Sequence, residues 1–191
     1  MSGSPLVIVI TSPSGTGKST VIRDLLARDP RLLFSVSHTT RPARDEARNG
    51  VDYHFVDDAA FDRIVAEGGF LEWAHVHGHR YGTHRREADG RLASGIDVLF
   101  DIDIQGGRQI AERLDDAVLV FILPPDMRTL EARLRNRRSD AQDVIARRLD
   151  AAKNEIANAA FYTYWIVNDD LEQAHRELSS VLVAERLRRV D

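Results

Sequence analysis

The sequence predicts an α/β protein: a parallel sheet with helices on both faces, interrupted by two inserted lobes. Short apolar runs alternate with longer helical stretches, as a sheet wound with crossover helices requires. The runs Ile96-Asp97-Val98-Leu99-Phe100 and Val118-Leu119-Val120-Phe121-Ile122-Leu123 are continuous enough to be strands buried on both faces. A third run, Leu6-Val7-Ile8-Val9-Ile10, passes through Ser12-Pro13-Ser14-Gly15-Thr16-Gly17-Lys18-Ser19 into the helical pattern Thr20-Val21-Ile22-Arg23-Asp24-Leu25-Leu26. Strand, glycine-rich loop, Lys-Ser, helix is the order of a phosphate-cradling loop.

The chemistry of that loop follows from its residue types. Gly15 and Gly17 let the backbone curl until successive N–H groups converge, and the helix N-terminus adds partial positive charge. Lys18 reaches the β- and γ-phosphates of a nucleotide, and the Ser19 hydroxyl is placed to ligate Mg²⁺ directly. Ser12 stands where the first glycine of the G-x-x-x-x-G-K-[ST] pattern belongs.

The remaining elements follow in order. Phe34-Ser35-Val36-Ser37 reads as a strand. Residues 38–95 are polar, aromatic and glycine-rich, with strands near Tyr53-Val56 and Leu71-His77 and helices over 58–67 and 85–94. They predict a lobe built on a small antiparallel sheet. Residues 128–158 form two arginine-dense helical segments joined by Arg138-Ser139-Asp140. Tyr164-Trp165-Ile166-Val167 is a last strand, and Leu171, Ala174, Leu178, Val181 and Leu182 mark a closing helix. The expected organisation is a single domain over 1–191. Its core is 5–37, 96–127 and 159–191, with a substrate lobe at 38–95 and a helical lid at 128–158. A core with two lobes suits an enzyme that closes over two substrates.

Composition narrows the function classes. With 191 residues, 43% hydrophobic and 29% charged, the chain can build a substantial core. A net charge of −4 argues against bulk binding to nucleic acid. The absence of cysteine excludes disulfides, thiolate metal sites and cysteine nucleophiles. The apolar run near the start is too short for a signal peptide or a membrane span, which points to the cytosol. Met1-Ser2-Gly3-Ser4 reads as a frayed tail.

A second constellation lies in the inserted lobe. Arg41 and Arg44 follow the Ser37 strand, and Tyr53 lies nine residues further on. Guanidinium forks match phosphate oxygens bidentately, and a phenol donates one more bond. Glu72 sits inside the run Phe70-Leu71-Glu72-Trp73-Ala74, and Tyr81-Gly82-Thr83 adds a phenol and a hydroxyl on a tight loop. A carboxylate there can accept from both the N1–H and the 2-amino group of guanine, donors that adenine lacks. Taken singly, a residue such as Glu72 is more often solvent-facing or ion-paired, Arg41 and Arg44 more often surface charges, and the tyrosines most often rim packing. Asp101 closes the strand at 96–100, where a Walker-B-like acid belongs; with Asp103 it faces the ligand crevice of a parallel sheet. Gly106 and Gly107 fit a tight strand-to-helix connection. Arg133, Arg135, Arg137, Arg138, Arg147 and Arg148 can meet the charge that spreads during phosphoryl transfer. The alternating His75, His77 and His79 read as edge-strand polar residues, because no carboxylate is spaced to complete a zinc triad.

Together these motifs resemble guanylate kinase, from the phosphate loop to the C-terminus. The matching residues are Ser12 to Thr20, Ser37-x-Thr39-Thr40-Arg41-x-x-Arg44, Gly50-Val51-Asp52-Tyr53, Glu72-Trp73-Ala74, Tyr81-Gly82-Thr83, Asp101-Ile102-Asp103-Ile104-Gln105-Gly106 and Val167-Asn168-Asp169-Asp170. The resemblance implies a P-loop nucleoside monophosphate kinase fold that transfers phosphoryl from Mg·ATP to GMP, and to dGMP. By it Ser37 and Glu72 read guanine with Thr83 assisting, beside Gly82. Arg41, Arg44, Tyr53 and Tyr81 hold the GMP phosphate, and Asp101 serves the GMP side and orders a metal-bound water. From the six arginines it selects Arg133, Arg137 and Arg148, and it puts Asn168 near the adenine of ATP. Lys18, Arg41, Arg137, Arg148 and Asp101 are thereby the catalytic set, with nucleotides as the partners and neither membrane nor nucleic acid. Departures from the family pattern are Ser12, the stretch Ala43, Glu46 and Ala47, and Asn136 and Arg138 flanking Arg137.

Overall fold

A computed structural model of the chain describes residues 5–43, 47–76, 78–136 and 142–188. Strand β1 (Val7–Thr11) is buried along its whole length at the centre of a five-stranded sheet. Its companions are β2 (Leu32–Phe34), β7 (Asp97–Asp101), β8 (Val118–Leu123) and β9 (Tyr164–Val167), in the order β2-β7-β1-β8-β9. Every pairing in this sheet is parallel. Parallel strands need crossovers, and these put helices on both faces, which is why the runs are continuously apolar. Alternate residues go opposite ways. Ile8, Ile10, Leu99, Val120 and Ile122 pack with α1 (Lys18–Arg28) and α7 (Leu171–Leu187), through Val21, Leu25, Ala174 and Leu178. Val7, Val9, Val98, Phe100, Leu119 and Phe121 pack on the other face with Ala88 of α3 (Arg85–Ala93) and Ile110 of α4 (Ile104–Ala111). The buried acid in β7, Asp97, accepts from the Leu6 amide at 2.8 Å and from Arg186 Nε at 2.7 Å, so its charge is paired.

Of the strand expected at 34–37 only Phe34 is strand, as the last residue of β2. Ser35, Val36 and Ser37 carry the chain from β2 to β3 (His38–Thr39), which belongs to a four-stranded sheet ordered β4-β3-β6-β5. Here β4 is His54–Phe55, β5 is Phe70–Val76 and β6 is His79–His84. This sheet is mixed rather than wholly antiparallel, because β3 and β4 run parallel. Tyr81-Gly82-Thr83 is therefore strand, not a tight loop. Gly82 is required by packing: a Cβ there would come within 3.0 Å of the Phe70 ring and of Trp73. Helix α2 (Asp58–Ala66), capped by Asp57 through the Ala60 amide at 2.7 Å, brings Phe61 onto Phe70 with ring centroids 4.6 Å apart.

Gly106 and Gly107 also differ from expectation, lying inside α4 rather than in the turn before it. Helices α5 (Met127–Asn136) and α6 (Gln142–Ala157) share a small core of Leu130, Leu134, Ile145 and Ala152. Arg135 pairs with Glu131 and Arg147 with Asp143, each one helical turn away, so these two arginines are part of a solvated face. The segment expected to join the helices, Arg138-Ser139-Asp140, lies outside the described residues. Among the described residues no helix is long and apolar enough to cross a membrane.

Candidate active site

The C-terminal ends of β1 and β7 open into a cavity of about 430 Å³ between the two sheets. One wall is the glycine-rich loop. Gly15 and Gly17 have φ of +93° and +96°, left-handed values that favour glycine. The Thr16 amide and hydroxyl both donate to the Pro13 carbonyl, at 3.3 and 2.8 Å, drawing the loop into a closed turn. Helix α1 starts at Lys18 with no side-chain cap and no acid in its first turn, so its positive end is turned to the cavity uncompensated.

Every loop residue from Ser12 to Ser19 lines this cavity except Thr16, which is wholly buried. The Thr16 carbonyl is held from behind by Asn168 Nδ2 at 2.7 Å and Arg133 Nη1 at 3.1 Å, and Arg133 also donates to the Asn168 carbonyl at 3.1 Å. Asn168 and Arg133 thus brace the loop's back. A Cβ on Gly17 would lie 2.6 Å from Asn168 Nδ2.

Opposite the loop stand Asp101, at the end of β7, and Asp103, which caps α4 through the Gly106 amide at 2.9 Å. Lys18 Nζ forms an ion pair with Asp101. The Ser19 hydroxyl, Asp101 and Asp103 are hard oxygen donors, the type that Mg²⁺ prefers. Among the described residues no three acids or histidines converge to hold a metal by themselves. That fits an ion that takes much of its shell from water and substrate phosphates.

The far wall belongs to the four-stranded sheet. Ser37, Arg41, Tyr53, Glu72 and Tyr81 all line the same cavity. Arg41 Nε is buried without a hydrogen-bond partner, and its guanidinium lies 5.2 Å from the Tyr53 ring centre. Tyr53 meets Tyr81 edge-on at 5.8 Å, and burial, with the Asp101 carboxylate, pushes the Tyr53 phenol up. Burial also pushes the Glu72 carboxyl up to about 7. Thr83, paired with Glu72 across the β5–β6 ladder, opposes that rise, and its own buried Oγ1 has no partner of proper hydrogen-bond geometry. Unpaired buried donors beside an open cavity fit a polar ligand that completes them. Gly82 and Thr83 lie in the strand behind the wall, and Arg148 sits half-buried on α6. Arg44 and Arg137 lie outside the described residues, as does His77 of the histidine run.

Sequence reasoning missed Glu155, which brings a carboxylate from α6 to the cavity. Burial pushes it up to about 7, with Lys18 drawing it down and Asp103 adding to the rise. The available signal was its position two turns after Arg148 on one helix, which puts both on a similar face.

The Guanylate kinase family model matches residues 4–185. A guanylate kinase of Sphingopyxis alaskensis is 49% identical over 185 residues, covering 96% of this chain and 84% of that one. One of Myxococcus xanthus is 48% identical over 185 residues, covering 96% and 88%. Among solved structures, the guanylate kinase from Anaplasma phagocytophilum superposes with a TM-score of 0.80 at 34% identity, covering 97% of this chain and 88% of that one. Loop, facing carboxylates and fold agree with a match that runs almost end to end: the chain belongs to the guanylate kinase family.

Proposed function

We propose that the chain transfers the γ-phosphoryl group of ATP to GMP, giving ADP and GDP. The observation that carries this reading is one cavity with a phosphate loop on one wall and the buried carboxylate of Glu72 on the other. The loop amides and Lys18 bind the donor phosphates, with Ser12 to Ser19 as the cradle and Arg133 and Asn168 holding its shape. Arg41, Arg44, Tyr53 and Tyr81 grip the acceptor phosphate, while Glu72, Ser37 and Thr83 read the base. Recognition then rests on base and phosphate, so dGMP is a second acceptor.

The nucleophile is an already anionic phosphate oxygen, so no general base is required. Catalysis is alignment together with charge neutralisation, which supplies most of the acceleration in phosphoryl transfer. Lys18, now paired with Asp101, turns to the bridging and γ-oxygens when triphosphate enters. Arg137 and Arg148 come from the lid formed by 128–158 and meet the charge on the transferred group. Ser19 directly and Asp101 through water would hold Mg²⁺, which would supply further neutralisation of phosphate charge. The working division is a core of 5–37, 96–127 and 159–191, a GMP lobe of 38–95 and that lid. The chain works in the cytoplasm on free nucleotides, without membrane or nucleic acid.

The test is coupled ADP release with Mg·ATP against GMP, dGMP, IMP, AMP, CMP and UMP. GMP should be preferred clearly. A preference for AMP, or no turnover with any acceptor, overturns the reading.

A further inference from the structure

Strand β5 is the outer strand of its sheet, so one edge carries backbone groups with no neighbouring strand to pair them. Helix α4 of the core lies along β5 and supplies side chains in a strand's place. Gln105 Nε2 donates to the His75 carbonyl at 3.2 Å. Gln109 makes two bonds to one residue: its Nε2 donates to the Trp73 carbonyl at 2.7 Å, and its Oε1 accepts from the Trp73 amide at 3.2 Å. Arg113, just past the helix, donates to the Leu71 carbonyl.

The spacing is geometric. Four helical residues rise about 6 Å, and two strand residues advance about 7 Å. Positions 105, 109 and 113 therefore keep step with 75, 73 and 71, the helix running antiparallel to the strand. Glu72 lies between the second and third rungs. The same helix approaches its carboxylate directly, since a Cβ on Gly106 would overlap Glu72 Oε2. At its start, Asp103 is joined to the first rung through Gln105 Nε2 at 2.9 Å.

We propose that Gln109 is a positioning residue for guanine recognition: by gripping both backbone groups of Trp73 it fixes the strand that carries Glu72 against the helix that begins at the phosphate side. A slip of the strand in either direction would move the Glu72 carboxylate relative to the acids at the start of α4. Of the three rungs, the Gln109 pair alone constrains a donor and an acceptor of the same strand residue, so it resists sliding both ways. This inference rests on Glu72 being the guanine reader.

Gln109→Met keeps the length and apolar stem but neither bond. It should raise KM for GMP about fivefold to tenfold, with KM for ATP and kcat within about twofold. The preference for GMP over IMP, which lacks the 2-amino group, should fall in kcat/KM. Gln109→Asn, polar but one methylene short, should show the same selective loss, and it stands in if the Met variant does not fold by thermal melting. Unchanged GMP kinetics, equal rises in both nucleotides' KM, or equal losses for GMP and IMP would each overturn the assignment. Glu72→Gln is titrated with GMP alongside: no weakening there sinks the reader itself. Weakening there with an intact GMP preference in the Gln109 variants sinks this inference alone.

Discussion

Replacing Glu72 by glutamine separates two consequences of one buried carboxylate. The side chain is only 3% exposed, and burial raises its carboxyl from 4.5 to about 7. Between those values the folded chain holds a proton that the unfolded chain has released, so stability falls as pH rises. A rise of that size corresponds to a penalty of about 3 kcal/mol, absent below the unfolded value and complete above the folded one. Glutamine does not titrate. Whatever constant cost its amide brings, the variant should gain about 3 kcal/mol on the parent between roughly pH 4.5 and pH 8, about 6–12 °C in Tm. GMP affinity goes the other way, because the amide turns an N–H toward the guanine amino group, at about 1–3 kcal/mol, or roughly fivefold to 150-fold in Kd. In the parent, GMP binding should also weaken as pH falls below about 7 and Glu72 takes up its proton. The assay is thermal melting of both proteins across this pH range without nucleotide, with GMP calorimetry near pH 8. Melting curves that stay parallel at all pH values refute the account of burial, and an unchanged Kd refutes the role in reading guanine.

Lys18→Met should lower kcat by about 10²–10³-fold while GMP Kd stays within about twofold, if Lys18 serves the donor side as proposed. Single-turnover kinetics and GMP titration check this, and turnover near the parent's would refute it. Gly17→Ala meets both a φ of +96° and Asn168 Nδ2 at 2.6 Å, so it should destabilise the chain by about 1–2 kcal/mol. It should also raise KM for ATP more than KM for GMP; melting and steady-state kinetics read the two effects. Chelating Mg²⁺ should abolish transfer yet leave the GMP titration unaltered, and turnover persisting in excess chelator would remove the metal from the proposal.

The large sheet was legible because each of its central strands is buried on both faces, which leaves an uninterrupted apolar run such as Val118–Leu123. The small sheet was legible only in part, in β4 and β5 and not in β6. Strand β6 is polar along its length except for Tyr81 and Gly82, and a glycine within polar residues reads as a turn. Gly106 and Gly107 misled in the same way, and the physical reason is shared. At Gly82 a ring system occupies the place of a Cβ, at Gly106 the Glu72 carboxylate does, and at Gly107 the Tyr162 hydroxyl does. Composition records the missing side chain but not the distant neighbour that excludes it.

The site divides along the same line. The phosphate loop is contiguous, so its strand, glycines, Lys18 and helix declare themselves in one short stretch. Glu72 was legible only as an acid in an apolar run. What suits it to the proposed reading of guanine is tertiary: burial, Thr83 across the ladder, and α4 packed on its carboxylate. Asn168 and Arg133 show the limit from the other direction. The resemblance places them near ATP, and the geometry gives them a further task, since both bond to the Thr16 carbonyl at the back of the loop. A loop whose amides must converge on phosphate has to turn its carbonyls outward, and those carbonyls need donors. Residues from α5 and the end of β9 meet that need, so the cradle's shape depends on elements more than a hundred residues away in the chain.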